Sequence, residues 1–119
     1  MNRTAATPHK VLCRRSDLVD DSGVVALHDG HQIAIFYLPR GIDRRGEPAV
    51  FGIDHHDPFS NANVIGRGII GDKGGEPVVA SPIYKQHFRL RDGICLEDDS
   101  VRLKVWLLRL EGDQVVLER

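Results

Sequence analysis

Three of the six histidines lie beside carboxylates or other polar residues in two irregular stretches of this chain, His55-His56-Asp57 and Tyr84-Lys85-Gln86-His87, and these groups could hold a metal ion or move a proton. Zinc or iron requires at least three such donors converging at about 2.0–2.2 Å. Adjacent residues of an extended chain point to opposite sides, so His55 and His56 do not easily share one ion. The plainer expectation is that one histidine bonds loop backbone while the others face water. Nucleophilic catalysis needs Ser or Cys beside a positioned His and a third orienting group. Ser81 with His87 is the one pair whose types suit, and nothing in the spacing brings the two together. Cys13 and Cys95 form no ligand-spaced pair and lie in apolar, strand-like contexts that suit inert thiols. Residues 71–75 are glycine-rich, but no strand-to-helix transition follows, so a hairpin tip is expected there rather than a phosphate cradle. Catalysis by this chain alone is not expected.

The elements that must position these groups are strands. Helical periodicity is nearly absent, and short β-branched runs separated by Gly, Pro and Asp recur at roughly ten-residue spacing, as in an all-β sandwich or barrel. About nine strands are expected. The first four are 11–14, 23–27, 32–38 and 49–53, with His28-Asp29-Gly30-His31 closing a hairpin because Asp-Gly accepts the positive φ of a tight turn. A charged, Gly- and Pro-bearing exposed loop is expected over 41–48. Residues 54–75 are expected to be loop, with at most a helical turn over 61–65 or a strand over 68–70. Strands return at 77–80 and 88–90, then through an Asp92-Gly93 turn at 94–96. The longest is expected at 101–107, where Val101, Leu103, Val105 and Leu107 alternate with Arg102, Lys104 and Trp106; Glu111-Gly112-Asp113 then turns into 114–117.

The chain has 119 residues, 41% hydrophobic and 28% charged, which suits one small domain. A domain of this size buries about two-thirds of its unfolded surface, enough for one core but not for a multi-cofactor enzyme with its own cleft. Sixteen basic against seventeen acidic residues leave a net charge of -1, without the electrostatic footprint of a nucleic-acid or anionic-membrane binder. The first ten residues are polar and read as a flexible extension (1–10) ahead of a β domain (11–119). No secretory signal core is visible, and the longest apolar run, 33–38, falls far short of the about 20 residues that span a bilayer. A cytoplasmic protein with reduced thiols is expected.

The segments Ile53-Asp54-His55-His56-Asp57-Pro58-Phe59 and Ser81-Pro82-Ile83-Tyr84-Lys85-Gln86-His87-Phe88-Arg89-Leu90, with Asp92-Gly93 behind them, resemble the two cluster-binding loops of a Rieske iron–sulfur domain. In that family two cysteines and two histidines on these loops hold a [2Fe-2S] centre. The resemblance places Asp57 and Ser81 at the cysteine positions and Phe59 and Tyr84 at the histidine positions, while Pro58, Pro82, Phe88, Leu90 and Gly93 keep the frame. Asp, Phe, Ser and Tyr supply neither the thiolates nor the imidazoles, so no cluster is expected here.

This ligand-free version is similar to the small-subunit family of assimilatory NAD(P)H nitrite reductase, through Asp57-Pro58-Phe59, Val64-Ile65-x-Arg67-Gly68, Val79-Ala80-Ser81-Pro82, Lys85-Gln86-x-Phe88-Arg89-Leu90 and Gly93-x-Cys95-Leu96-Glu97-Asp98. The resemblance implies an all-β Rieske-like fold and an accessory subunit without catalytic, cofactor-binding or metal-binding residues of its own. It also implies a large partner subunit carrying FAD, sirohaem and a [4Fe-4S] cluster that reduces nitrite to ammonium. The emptied loops are then expected to dock on that partner, with Phe59 and Tyr84 as aromatic anchors and Arg67, Lys85, Gln86 and His87 as polar contacts. For Phe59 and Tyr84 the other reading is that they fill the space the cluster left. Asp57 and Ser81 are expected to cap loop backbone. Two alternatives remain: a Rieske-type ferredoxin carrying electrons with unusual ligation by His55, His56 or His87, and an interaction module unrelated to nitrite.

Overall fold

The structure, a computed structural model, describes residues 10–42 and 46–118. The expected extension therefore lies outside the described residues except for Lys10, and so does the middle of the expected 41–48 loop.

Residues Ile33 to Tyr37 form the middle of the molecule, because five consecutive apolar side chains cannot all face one side of a strand. They lie in β3 (His31–Ile42), which pairs antiparallel with β2 (Ser22–His28) and β4 (Pro48–Asp54); the short β10 (Val105–Trp106) adds to the far side of β4. Both faces of this four-stranded sheet are covered, so all five residues are buried. The β2–β3 turn is the expected one: His28 pairs with His31, and Asp29 and Gly30 take φ values of 48° and 80°.

On one face, Ile33, Ile35, Tyr37 and Val50 pack against Leu108, Leu110, Val115 and Leu117. The latter come from a three-stranded sheet of β1 (Lys10–Arg14), β12 (Gln114–Leu117) and β11 (Leu108–Glu111). On the opposite face, Ala34, Phe36 and Ile53 meet Ile65, Val79, Phe88, Leu90, Cys95 and Leu103. This second core belongs to the part of the chain that carries the two histidine-bearing stretches. It comprises the small hairpin β5 (His56–Asp57) and β6 (Ala62–Asn63), a single 3₁₀ turn at Ile65–Arg67, and the antiparallel sheet β7 (Ile69–Lys73), β8 (Glu76–Ala80) and β9 (His87–Arg89). Each large apolar side chain buried in such a core stabilises by about 1.5–3 kcal/mol.

Two expectations are corrected. Residues 54–75 are more ordered than their sparse apolar content suggested, holding β5, β6, the 3₁₀ turn and all of β7. The long strand over 101–107 does not exist: only an isolated bridge joins Ile94 to Arg102, and β10 ends at Trp106. At Leu107, which is 69% exposed, the chain leaves the central sheet for the outer one, and the buried phase moves to Leu108 and Leu110. An apolar pair, Leu107-Leu108, conceals that change of face. No helix of the described residues is long and apolar enough to cross a membrane.

Candidate functional site

The first loop leaves β4 at Asp54, whose Oδ1 accepts from the His56 backbone N–H at 3.0 Å. His55 turns inward and is buried; its Nδ1 accepts from the Gly66 N–H at 2.9 Å, which ties the loop to the 3₁₀ turn. Burial, then the nearby Arg67, hold this imidazole below its ordinary pKa, although Asp54 acts the other way. His56 pairs instead with the Asn63 side chain across the β5–β6 hairpin, Nδ1 to Oδ1 at 2.9 Å. The two adjacent histidines thus have separate tasks, and one of them does bond loop backbone. Among the described residues no three His, Cys, Asp or Glu side chains are grouped to hold a metal ion.

Asp57 is fully buried. Its Oδ1 accepts from the Phe59 N–H at 2.9 Å and its carbonyl from the Asn61 N–H at 2.8 Å, which closes the turn. The second loop begins at Ser81, also fully buried, whose hydroxyl donates to Oδ2 of Asp57 at 2.5 Å. Burial raises the Asp57 pKa, but the hydrogen bonds from the Ser81 hydroxyl and from the backbone of Phe59 and Ser60 outweigh it and hold the carboxyl below its ordinary range. Main-chain bonds from Ser81 N to Gln86 O (2.9 Å) and from Lys85 N to Ser81 O (3.1 Å) draw residues 81–86 into a compact turn. Lys85 takes a left-handed φ of 67°, and its Nζ returns to the Pro82 carbonyl at 3.2 Å.

The two aromatic residues go separate ways. Phe59 is half-buried, packing on the second core with its ring 6.1 Å from that of Phe88. Tyr84 stands at the tip of the second loop, 61% exposed, beside exposed Ile83 and Lys85. Gln86 and His87 are partly covered and Arg67 is exposed. The Ser81 hydroxyl is committed to Asp57, while His87 binds Glu97: its ring Nδ1 lies 2.6 Å from Oε2 and its backbone N–H donates to Oε1 at 2.8 Å. Ser81 and His87 therefore do not pair with each other. The Cys95 thiol approaches the same carboxylate at 3.6 Å, and burial pushes its pKa up. In the sequence Glu97 stands only as part of the Gly93-x-Cys95-Leu96-Glu97-Asp98 motif, with no role assigned to it. Its role follows from a bridge between Phe88 and Cys95 that brings residues 95–97 against β9, and no local pattern signals that pairing.

Four donor positions singled out by the family resemblance thus hold a buried carboxylate–hydroxyl hydrogen bond, one core aromatic ring and one exposed phenol. Neither cysteine lies on these loops: Cys13 is in β1 and Cys95 follows Gly93.

Residues 9–118 match the family described as Rieske-like [2Fe-2S] domain. The chain is 42% identical over 106 residues to the nitrite reductase (NADH) small subunit of Salmonella typhimurium, covering 89% of this chain and 93% of that one. The structure of an NADH-dependent nitrite reductase small subunit from Mycobacterium tuberculosis superposes with a TM-score of 0.80 at 38% identity, over 93% of this chain and 94% of that one. A nitrite reductase [NAD(P)H] large subunit from Klebsiella oxytoca also matches, 36% identical over 108 residues, 91% of this chain but 10% of that protein. The ferredoxin of carbazole 1,9a-dioxygenase from Nocardioides aromaticivorans shares the fold alone, with a TM-score of 0.73 at 11% identity over 93% of this chain and 97% of that one.

Proposed function

Since this chain belongs to the nitrite reductase (NADH) small-subunit family, built on a Rieske-like domain, we propose that it is a cluster-free, cytoplasmic accessory subunit. It docks on a large subunit that carries FAD, sirohaem and a [4Fe-4S] cluster and reduces nitrite to ammonium. The observation that carries this reading is the 2.5 Å bond between the Ser81 hydroxyl and Asp57. A Rieske centre needs thiolates and imidazoles on these loops; the side chains present are hard oxygen donors and aromatic rings, and the two oxygen donors satisfy each other. The residues do not fit the cluster.

A small β domain without converging acid, base or metal groups supplies a surface, not a multi-electron reduction. The docking surface is the tip of the loops, with Tyr84 as its aromatic anchor and Lys85, Gln86, His87 and Arg67 as polar contacts; Phe59 supports it from inside. The match to a tenth of a large-subunit chain supports this pairing, because there a related domain is part of the large polypeptide itself.

Purified from iron-replete cells, the protein is expected to be colourless, without stoichiometric iron or acid-labile sulfide, and to form a complex with its cognate large subunit. A visible spectrum with about two irons per chain would overturn the cluster-free reading. Failure to form a complex would overturn the accessory role.

A further inference from the structure

The sheet β7-β8-β9 has an inner face in the second core, through Ile70, Val79 and Phe88, and an outer face turned away from it. On that outer face two cross-strand rows differ sharply. Val78 lies between Gly71 and Arg89, and Arg89 N donates to the Ile94 carbonyl, which extends the row. This row is closed: the Arg89 guanidinium forms two bonds to the Asp92 carboxylate, at 3.0 and 2.6 Å, and Val78 is 1% exposed.

The neighbouring row is open. Ile69 pairs with Ala80 and Ala80 with His87. The Phe88–Cys95 bridge and the bond from Leu96 N to the His87 carbonyl set Leu96 opposite His87 on the same face. Ile69 at one end is 70% exposed and Leu96 at the other 40%. Between them the His87 ring is held by Glu97 through Nδ1, leaving Nε2 as its remaining polar atom. A fixed imidazole between two exposed aliphatic side chains has the composition of an interface centre, where apolar area and one oriented polar group act together.

We propose that the row Ile69–Ala80–His87–Leu96 is a second part of the surface that the large subunit covers, continuous with the loop tip at Tyr84 and resting on the reading given above. The occupant is an apolar strip of the large subunit with a hydrogen-bonding group facing Nε2 of His87. Two things favour the large subunit over a second copy of this chain. The row adjoins the second loop through His87, and in the Klebsiella oxytoca protein a related domain is part of the large-subunit chain. Glu97 is a positioning residue in this arrangement.

The test is the affinity of full-length small-subunit variants for the purified large subunit, with melting temperatures measured in parallel. Ile69→Lys and Leu96→Lys, both at exposed positions, are each expected to weaken binding about tenfold or more, while Val19→Lys, exposed between β1 and β2, leaves it unchanged. Unchanged binding by both row variants, with binding weakened by Tyr84→Ala, would overturn the row and leave the tip in place. Absence of binding by the wild type would remove the reading on which both rest. A wild-type dimer that Ile69→Lys converts to monomer would assign the row to a second copy and overturn the proposal.

Discussion

The hydroxyl of Ser81 and the carboxylate of Asp57, twenty-four residues apart in the chain and both buried, are joined by a 2.5 Å hydrogen bond that ties the first loop to the second. Removing the donor strands an ionised oxygen away from water, which costs about 1–3 kcal/mol in a buried site. Ser81→Ala is therefore expected to lower stability by about that amount, whereas Ser81→Thr, which retains the hydroxyl, preserves more of it. Urea denaturation of the two variants checks this. Equal stability of Ser81→Ala and wild type would mean that the carboxylate finds another donor.

The loops should also respond to acid in two separate steps. His55 is held below the ordinary imidazole value, so its folded form binds a proton less readily than the unfolded chain. Its contribution to stability is complete above the unfolded value of 6.5 and shrinks as pH falls below it. Asp57 is depressed relative to 3.8, so its contribution persists to much lower pH and is lost only as pH falls below that value. His55→Asn keeps an acceptor for the Gly66 N–H without titrating. It is expected to flatten the decline that begins near neutrality and to leave the acid limb unchanged. Urea midpoints followed from about pH 8 to pH 3 would show this, and an unaltered upper limb would assign that decline to another group.

Gly93 and Gly30 separate steric conflict from backbone preference. Both have left-handed φ, 79° and 80°, but a Cβ on Gly93 would collide with the Leu103 carbonyl, whereas one on Gly30 meets nothing within 4 Å. Gly30→Ala should cost about 1–2 kcal/mol, the preference of an L-residue against this conformation. Gly93→Ala must also displace the Leu103 backbone, whose N–H donates to the Gly93 carbonyl at 2.9 Å, and a loss of about 3 kcal/mol or more is expected. Thermal melts of the two variants make the comparison, and similar losses would mean that residues 101–104 yield easily.

What could be seen in the sequence was whatever local chemistry determines. Asp29-Gly30 placed the first hairpin, and the apolar run 33–38 marked the strand that pairs across it. The two loops were recognisable as a pair because prolines and aromatic residues keep their spacing when the ligands change. What could not be seen depends on contacts across the fold. The alternation from Val101 to Leu107 looked like one strand because nothing local marks the passage between two sheets. The hold of Glu97 on His87, and the division of Phe59 from Tyr84 into core and surface, were equally invisible. The first depends on the bridge between Phe88 and Cys95, the second on Phe59 packing against Phe88, and both are fixed by contacts across the fold.

Lys85 offers a test of the loop tip in which charge and shape can be separated. Its amine is exposed and its backbone is left-handed, so substitution could act on docking through either property. Asparagine tolerates this φ well and removes the charge; glutamate reverses the charge and fits the conformation no better than lysine. Both variants are expected to melt within a few degrees of wild type, because the bond from Lys85 Nζ to the Pro82 carbonyl is exposed and contributes little. If the amine faces an anionic group on the large subunit, Lys85→Asn weakens the complex modestly and Lys85→Glu by about tenfold more, with a difference that narrows as salt is raised. Affinities measured at low and high sodium chloride read this directly. Equal binding by Lys85→Glu and wild type at low salt would remove Lys85 from the docking surface.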